Sequence, residues 1–293
     1  MRLVCSALLA MTCVACAEEA RLTWDVVQDS THRVASISGL SGPEAVRYDP
    51  DQDVYFISNF NGEPAGDSNG FVTRARPDGA VDSLRFLVGT SAAPLHGPRG
   101  MFITGDTLWV ADADGVHLFH RQTGAHLRFV DFRSFAPGFL NDIVQGPDDA
   151  IYITDTGRSR VYRIAGGTIT IAIEDTALAN PNGITWDPAN TRFLLASWNP
   201  APPIHSWDGR TGVTAIGTAA RGRNDGIELV GDRVLIATQS DSSINMLVSG
   251  DIRPCIRTAG QAADIGIDTR RWRVLVPYVD LDRVDIWAVP QPE

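Results

Sequence analysis

Cysteine is scarce in the body of this chain. Cys5, Cys13 and Cys16 all fall within the first 16 residues, which leaves only Cys255 in the remainder. One cysteine cannot form an internal disulfide, and neither a CxxC pair nor a Cys/His cluster with zinc-binding spacing is present. We therefore expect no disulfide scaffold and no zinc-dependent fold.

Clustered positive charge is also missing. The chain has 25 Lys and Arg against 35 Asp and Glu, a net charge of −10, and no run of basic residues. Nucleic-acid-binding proteins usually present a basic face, so we expect no nucleic-acid partner. The sequence also lacks a G-x-S-x-G nucleophile motif, a phosphate-binding loop and a dinucleotide fingerprint.

No long amphipathic helical pattern occurs, and the one sustained apolar run lies at the N-terminus. Arg2 precedes an apolar stretch over residues 3–14 that is too short to cross a bilayer. A positive residue followed by such a stretch is typical of an export leader. We predict a leader over residues 1–17 and an exported protein.

Two cleavage patterns compete at the end of this leader. Residues 15–17 fit the small-x-small pattern of ordinary signal cleavage, whereas residues 13–16 loosely resemble a lipobox. The second pattern would leave Cys16 as the lipidated first residue of a membrane-anchored lipoprotein. Both alternatives place the mature domain, predicted over 18–293, in the periplasm or at a membrane.

A short phrase recurs six times along the chain. Each copy has a small loop, an apolar strand start and a second apolar strand. The copies read GPEAVRYDPDQDVYFIS, GPRGMFITGDTLWVAD, FLNDIVQGPDDAIYITD, NPNGITWDPANTRFLLAS, RNDGIELVGDRVLIAT and QAADIGIDTRRWRVLVP. Residues alternate with the strand period, and about four short strands per unit are typical of a propeller blade. We predict an all-β, six-bladed β-propeller with four-stranded blades.

The sixth unit is incomplete, because the chain ends soon after a strand-like segment at 283–287. The segments 22–27 and 33–37, which precede the first unit, can supply the missing outer strand. Strands from both termini would then close the ring and remove its exposed sheet edges. We expect the closed ring to be a monomer.

Aligned on their apolar residues, the six copies share one position at the end of the small loop, which we call the ring position. It is filled by Glu44, Arg99, Asn141, Asn182, Asp225 and Ala263. A closed propeller would bring these residues around one channel. Carboxylate and carboxamide oxygens are ligands of hard cations such as calcium, and no Cys or His occupies a ring position. Each Asn or Asp could instead be a turn residue.

Arg99 complicates such a cation site, because its charge opposes that of a bound cation. We expect it to form a salt bridge with Asp142 or Glu44; the alternative is that it faces an anionic group of a substrate. Either role would place a guanidinium at the mouth of the channel.

Two units carry insertions between their second and third strands, at 59–70 and 199–203. In a blade this connection lies on the same face as the ring position, so both insertions should border the channel mouth. Long loops on a rigid scaffold often determine specificity, although plain surface loops are an equal alternative. We expect substrate contacts from Asn59, Trp198 and His96, of which the lone His96 could equally be structural.

Four of these segments resemble the family of senescence marker protein (regucalcin), gluconolactonase and luciferin-regenerating enzyme. They are GPEAVRYD, FLNDIV, PNGITWD and NDGIELV, and the resemblance covers roughly residues 38–290. FLNDIV is also similar to the NDIV segment of paraoxonases. The resemblance implies a divalent cation, calcium first, held by Glu44, Asn182 and Asp225, with Asn141 near the metal and touching the substrate. It further implies that Asp225 doubles as the general base in the hydrolysis of a lactone or related ester.

One residue departs from that family. Phe139 stands where members that act on sugar lactones often have an arginine, and this departure puts sugar-lactone specificity in doubt. We predict a metal-dependent hydrolase of lactone-like or ester small molecules. The alternative is a non-catalytic propeller resembling NHL-repeat proteins, which would bind a ligand or a protein through the same face. A third possibility is that the metal only stabilises the fold.

Overall fold

The described part of the chain is almost entirely β-structure. The computed structural model describes residues 22–64, 66–201, 203–218 and 221–292. These residues form 24 strands and five short 3₁₀ helices, and no α-helix occurs among them. The strands are β1 (Arg33–Ser38), β2 (Pro43–Asp49), β3 (Val54–Asn59), β4 (Phe71–Ala75), β5 (Val81–Val88), β6 (Met101–Thr104), β7 (Thr107–Ala111), β8 (Gly115–His120), β9 (His126–Asp131), β10 (Leu140–Gln145), β11 (Ile151–Asp155), β12 (Arg160–Ala165), β13 (Thr168–Glu174), β14 (Pro181–Asp187), β15 (Arg192–Ser197), β16 (Pro203–Trp207), β17 (Thr214–Thr218), β18 (Asn224–Val230), β19 (Arg233–Thr238), β20 (Ser243–Val248), β21 (Asp251–Arg257), β22 (Gly266–Asp268), β23 (Arg273–Tyr278) and β24 (Arg283–Ala288). The 3₁₀ helices lie at Ser30–His32, Arg133–Phe135, Thr176–Leu178, Gln239–Asp241 and Val279–Leu281.

The strands form six antiparallel sheets of four strands each. Five sheets use four consecutive strands, beginning with β2, β6, β10, β14 and β18, and the sixth has the order β22-β23-β24-β1. The innermost strand of each sheet contacts the innermost strands of its two neighbours, and β22 contacts β2. The innermost strands therefore form a closed circle, which confirms the predicted six-bladed β-propeller.

The N-terminal strand closes this circle. β1 is the outer strand of the sixth blade and pairs antiparallel with β24, with Ile37 opposite Val284. Ser36 strengthens this pairing, because its Oγ donates to Asp285 Oδ1 at 2.6 Å. The prediction that 33–37 supplies the missing strand is confirmed.

The segment before β1 has a different role from the predicted one. Residues 22–27 form no strand. Instead, the Gln28 N–H donates to the Cys255 carbonyl and the Arg257 N–H donates to the Gln28 carbonyl, both at 2.8 Å. This β-bridge at Gln28 attaches the segment before β1 to the outer strand of blade five. The predicted leader at 1–17, with Cys16, lies outside the described residues, and within the described ones no helix is long and apolar enough to cross a bilayer.

Close packing between neighbouring innermost strands requires glycine at several points beside the channel, two of which lie between blades four, five and six. A Cβ on Gly183 would lie 2.5 Å from the Asp225 carbonyl oxygen, and one on Gly226 would lie 2.5 Å from the Ile265 nitrogen. Backbone atoms cannot yield as a flexible side chain would. Glycine at these positions therefore lets blades four, five and six approach one another closely at the axis.

We expect Ile37→Ala to lower the free energy of unfolding by about 2–5 kcal/mol, because it removes buried side-chain volume from the closing strand. Ile37 is fully buried against Leu275 and Ile286 of the sixth blade. Val34 lies on the same strand but is 45% exposed, so Val34→Ala should change stability by no more than about 0.5 kcal/mol. Urea unfolding of both variants measures the difference, and equal small losses would contradict the closing role of β1.

Candidate functional site

Four ring residues occupy the same place in their blades, since each is the second residue of an innermost strand. They are Glu44 in β2, Asn141 in β10, Asn182 in β14 and Asp225 in β18. In all four strands the pairing with the next strand shifts register across this residue and the one after it. Such a β-bulge redirects side chains at the end of a strand. The repeated bulge therefore gives the four side chains equivalent positions around the axis.

Hydrogen bonds join the neighbouring blades at this level. The Asp264 N–H donates to the Glu44 carbonyl at 2.9 Å, and the Gly100 N–H donates to the Asn141 carbonyl at 3.1 Å. The Thr156 hydroxyl accepts from Asn141 Nδ2 at 3.1 Å and donates to the Pro181 carbonyl at 2.8 Å. These bonds hold the ring residues rigidly with respect to one another.

Each of the four side chains is buried and has one oxygen without a hydrogen-bond donor among the described residues. The atoms are Glu44 Oε2, Asn141 Oδ1, Asn182 Oδ1 and Asp225 Oδ1. A buried acceptor without a partner costs about 1–3 kcal/mol, so native proteins contain few of them. Four such oxygens at one level suit a divalent cation that all four would bind.

The charges of the channel favour the same ligand. Burial, followed by the charge of Asp225, raises the pKa of Glu44 well above its usual value. Burial, followed by the charge of Asp264, does the same to the pKa of Asp225. Five carboxyl groups face two guanidinium groups here: those of Glu44, Asp142, Asp225, Glu228 and Asp264 against those of Arg47 and Arg99. A divalent cation would offset most of the surplus negative charge.

Arg47 crosses the channel beneath the ring, where it pairs closely with two of these acids and lies 3.8 Å from a third, Glu228 Oε1. Its Nη2 lies 2.8 Å from both Asp142 Oδ1 and Asp264 Oδ2. Its Nη1 donates to the carbonyls of Val46 at 2.9 Å and Ile265 at 3.0 Å. The two acids of this group that form no ion pair among the described residues are Glu44 and Asp225, and both are ring residues.

A cavity of about 360 Å³ opens at the end of the channel opposite the ring. Five of its lining residues stand three positions after a ring residue: Arg47, Phe102, Val144, Thr185 and Glu228. A bulge adds one residue to a strand, so in bulged strands positions i and i+3 can line the same channel. We did not identify Arg47 and Glu228 from the sequence, although a charged residue three positions after Glu44 and Asp225 was the available signal.

The expected salt bridge of Arg99 does not form. Arg99 is only 1% exposed, yet no carboxylate among the described residues lies within salt-bridge distance of it. Asp142, one of its two expected partners, is paired with Arg47. The Arg99 guanidinium instead stacks on Phe139, with its carbon 3.8 Å from the ring centroid. Burial lowers the pKa of Arg99, against the opposing influence of the Glu44 charge.

The first insertion lies beside this arginine, at the ring end of the channel. The Pro64 carbonyl accepts a hydrogen bond from Arg99 Nη2, and the Gly70 N–H donates to the Leu95 carbonyl at 3.0 Å. The second insertion packs toward blade five, where the Arg223 N–H donates to the Asn199 carbonyl at 2.9 Å. Both contacts are consistent with the expectation that the insertions lie on the face of the propeller that carries the ring residues.

Asn59 is not available to a substrate, contrary to the prediction. It is completely buried, and its Oδ1 accepts from the Ser41 N–H at 3.0 Å. Its amide donates to the Ile57 carbonyl at 2.9 Å and to Thr73 Oγ1 at 3.1 Å. All of these partners belong to blade one or its entry loop, so Asn59 holds that loop.

His96 and Trp198 are partly buried on the ring side of the molecule. His96 Nδ1 lies 3.0 Å from Ser68 Oγ in the first insertion, and its Nε2 lies 3.8 Å from Asp114 Oδ2. The Trp198 ring lies 5.9 Å from the Arg223 guanidinium, next to the second insertion. Their contact with a substrate stays a prediction.

A second group with metal-ligand chemistry lies in blade two. One ligand atom from each of Asp112, Asp114 and His117 lies within 4.8 Å of the others. Both Asp112 oxygens already accept backbone hydrogen bonds, from His96 at 2.7 Å and Gly97 at 2.6 Å. Asp112 therefore acts first as the residue that holds the entry loop of blade two.

No family model and no curated protein matches the sequence. Solved structures share its fold at low identity. A gluconolactonase from Xanthomonas campestris has a TM-score of 0.69 and 17% identity, covering 92% of this chain and 94% of its own. A calcium-binding regucalcin from Agrobacterium tumefaciens has a TM-score of 0.67 and 17% identity, covering 91% and 97%. An auxiliary nutrient binding protein from Bacteroides ovatus has a TM-score of 0.66 and 14% identity, covering 87% and 72%.

These neighbours confirm the predicted resemblance to gluconolactonase and regucalcin at the level of fold. One neighbour is named as an enzyme, one as a calcium-binding protein and one as a nutrient-binding protein. A shared fold at such identities does not transfer a function. Function must therefore be argued from the ring residues.

We expect the stability of the metal-free protein to fall as the pH rises from about 4 to about 7, because burial raises the pKa of Glu228 to about 7. The ordinary value is about 4.3, so the folded state favours the protonated form; its contribution is full below about pH 4 and is lost as Glu228 ionises. Glu228→Gln should therefore gain stability over the parent protein between about pH 5 and pH 8. Thermal midpoints in chelator measure this gain, with the exposed Asp232→Asn as the control. Parallel curves for Glu228→Gln and the parent would contradict it.

Proposed function

We propose that this protein is a metal-dependent hydrolase of lactone-like or ester small molecules. The observation that supports this most is the set of four buried oxygens without donors, on Glu44, Asn141, Asn182 and Asp225. The proposal is also consistent with the fold, which is similar to that of a gluconolactonase and of a calcium-binding regucalcin. Export through the N-terminal leader remains part of the proposal.

Calcium is the ion we propose for the site. All four ligand atoms are oxygens, two from carboxylates and two from carboxamides. Calcium accepts six to eight such oxygens in flexible geometry, and the remaining positions are open to water and substrate. Zinc and other softer ions prefer nitrogen or sulfur ligands, which the ring positions lack.

The chemistry proposed is addition of water to the carbonyl carbon of the ester. The bond from carbon to the ring or alkoxy oxygen then breaks, and that oxygen leaves as a hydroxyl. A divalent cation at the four oxygens would polarise the carbonyl and offset the charge that develops on its oxygen.

Asp225 is the residue proposed to accept the proton of the attacking water. Gln239 Nε2 donates to its Oδ2 at 2.8 Å, which fixes the carboxylate. Its Oδ1 has no donor among the described residues and faces the site. Burial would make Asp225 a stronger base than a solvated carboxylate, while a bound cation would oppose this. Asn141, with its Nδ2 held by Thr156, would direct its oxygen at the metal and contact the substrate.

We expect calcium to raise the thermal midpoint of the purified protein, because a ligand that binds only the folded state stabilises it. At a calcium concentration of about 100 times Kd the gain should be about 2.7 kcal/mol. Asn182→Ala and Asp225→Ala each remove one ligand and should abolish the shift. Thermal denaturation with and without chelator measures it.

Glu228→Gln is the matched control for that experiment. It removes a carboxylate from the same channel but not from the ring, since Glu228 lines the opposite cavity. This variant should keep its calcium response. If it loses the response as fully as Asn182→Ala does, general channel charge rather than a ring site binds the ion.

A panel of γ- and δ-lactones and aryl esters should separate an enzyme from a binding propeller. The proposal expects turnover that chelator abolishes and calcium restores, with Asp225→Asn reduced by about 100-fold or more through loss of the base. Chelator-insensitive turnover would contradict the metal dependence. Binding without any turnover would favour the NHL-like alternative.

A further inference from the structure

Arg99 is a buried charge without a counter-ion among the residues that the structure describes. It is 1% exposed, and its Nε and Nη1 have no acceptor among the described residues. Its one hydrogen bond goes from Nη2 to the Pro64 carbonyl of the first insertion. An unpaired buried charge is costly, and stacking on an aromatic ring offsets only part of that cost.

The other buried arginines of the described chain differ from Arg99 in this respect. Arg47 lies 2.8 Å from the carboxylates of Asp142 and Asp264. Arg121 donates to Asp49 and Asp51 at 2.5 and 2.6 Å. Those arginines stabilise the fold through ion pairs, whereas the fold provides no such pair for Arg99.

The surroundings of Arg99 hold its guanidinium in place without neutralising it. The Phe139 centroid lies 3.8 Å and the Phe60 centroid 5.7 Å from the guanidinium carbon. Arg99 occupies the ring position of blade two, and the Gly100 N–H that follows donates to the Asn141 carbonyl. A fixed cation with N–H donors that have no acceptor among the described residues thus belongs to the blade between those of Glu44 and Asn141.

We propose that Arg99 binds a carboxylate of the substrate, so that the preferred substrates are lactones or esters that carry a negative charge beside the scissile bond. An anion placed between Arg99 and a cation at the ring would be attracted by both and would relieve their mutual repulsion. That the anion belongs to a substrate rests on the proposed function, whereas the anion site itself does not depend on hydrolysis.

The decisive substrates are a γ-butyrolactone with a carboxylate on the carbon next to the ring oxygen and the corresponding carboxamide. The two have nearly the same shape and differ in charge. The parent protein should hydrolyse the carboxylate about 100-fold more efficiently in kcat/KM, the size expected for a buried charge pair. Arg99→Gln should lose that preference, because its kcat/KM for the carboxylate should fall toward its kcat/KM for the carboxamide. Equal use of both lactones by the parent protein would overturn the inference.

Binding without turnover supplies an independent measurement. Tetrahydrofuran-2-carboxylate cannot be hydrolysed, and its carboxamide is the neutral control. The carboxylate should bind the calcium-loaded parent protein at least about tenfold more tightly than it binds calcium-loaded Arg99→Gln. In the parent protein, calcium and the carboxylate should each tighten the binding of the other by one common factor. Calorimetric titration measures both affinities. An equal affinity for the two proteins would overturn the inference.

Thermal stability separates substrate binding by Arg99 from a structural role. If Arg99 binds substrate, Arg99→Gln should have a thermal midpoint equal to or above that of the parent protein. It should also bind calcium more tightly, because it removes an uncompensated like charge. Arg47→Gln should lower the midpoint, since it removes a paired arginine. A large fall for Arg99→Gln would assign Arg99 to the fold and overturn the inference. Anion binding that needs Arg99, without lactone turnover, would contradict only the proposed function.

Discussion

The close approach of the six innermost strands is the constraint on which the rest of the structure depends. Gly183 and Gly226 permit it, because any side chain there would meet the backbone of the next blade. β-Bulges in four of these innermost strands redirect the ring residues of their blades. Backbone contacts that seal the ring therefore also set the positions of the four unpaired oxygens.

Charge separates the channel into two layers with different roles. Below the ring, Arg47 forms ion pairs with Asp142 and Asp264, and these pairs stabilise the fold. Above it, Glu44 and Asp225 have unpaired oxygens, and Arg99 has unpaired donors. Groups of both signs left unpaired at one level are a liability for stability, and they are what a site that binds a cation and an anionic substrate requires.

The sequence was sufficient to predict the fold because apolar residues repeat alike in every blade, and the closing strand at 33–37 followed from the incomplete sixth unit. It also identified the ring residues, since each is the polar end of a repeated loop. The hydrogen-bond and ion-pair partners of the polar side chains could not be predicted from the sequence. Asn59 stands at the start of an insertion in the sequence, but its side chain is hydrogen-bonded to backbone groups of its own blade and entry loop. Arg99 was expected to pair with Asp142 or Glu44. Instead Arg47, three residues after Glu44 on the innermost strand of blade one, pairs with Asp142, and this could not be foreseen without the bulge in that strand.

The central claim is that the four ring oxygens bind a divalent cation. Crystals grown with calcium, or with manganese as an anomalous substitute, test it most directly. The account predicts one strong difference peak in contact with Glu44, Asn141, Asn182 and Asp225, and its loss in Asp225→Ala. A ring without a peak at saturating metal, or a peak confined to the group of Asp112, Asp114 and His117, would contradict it.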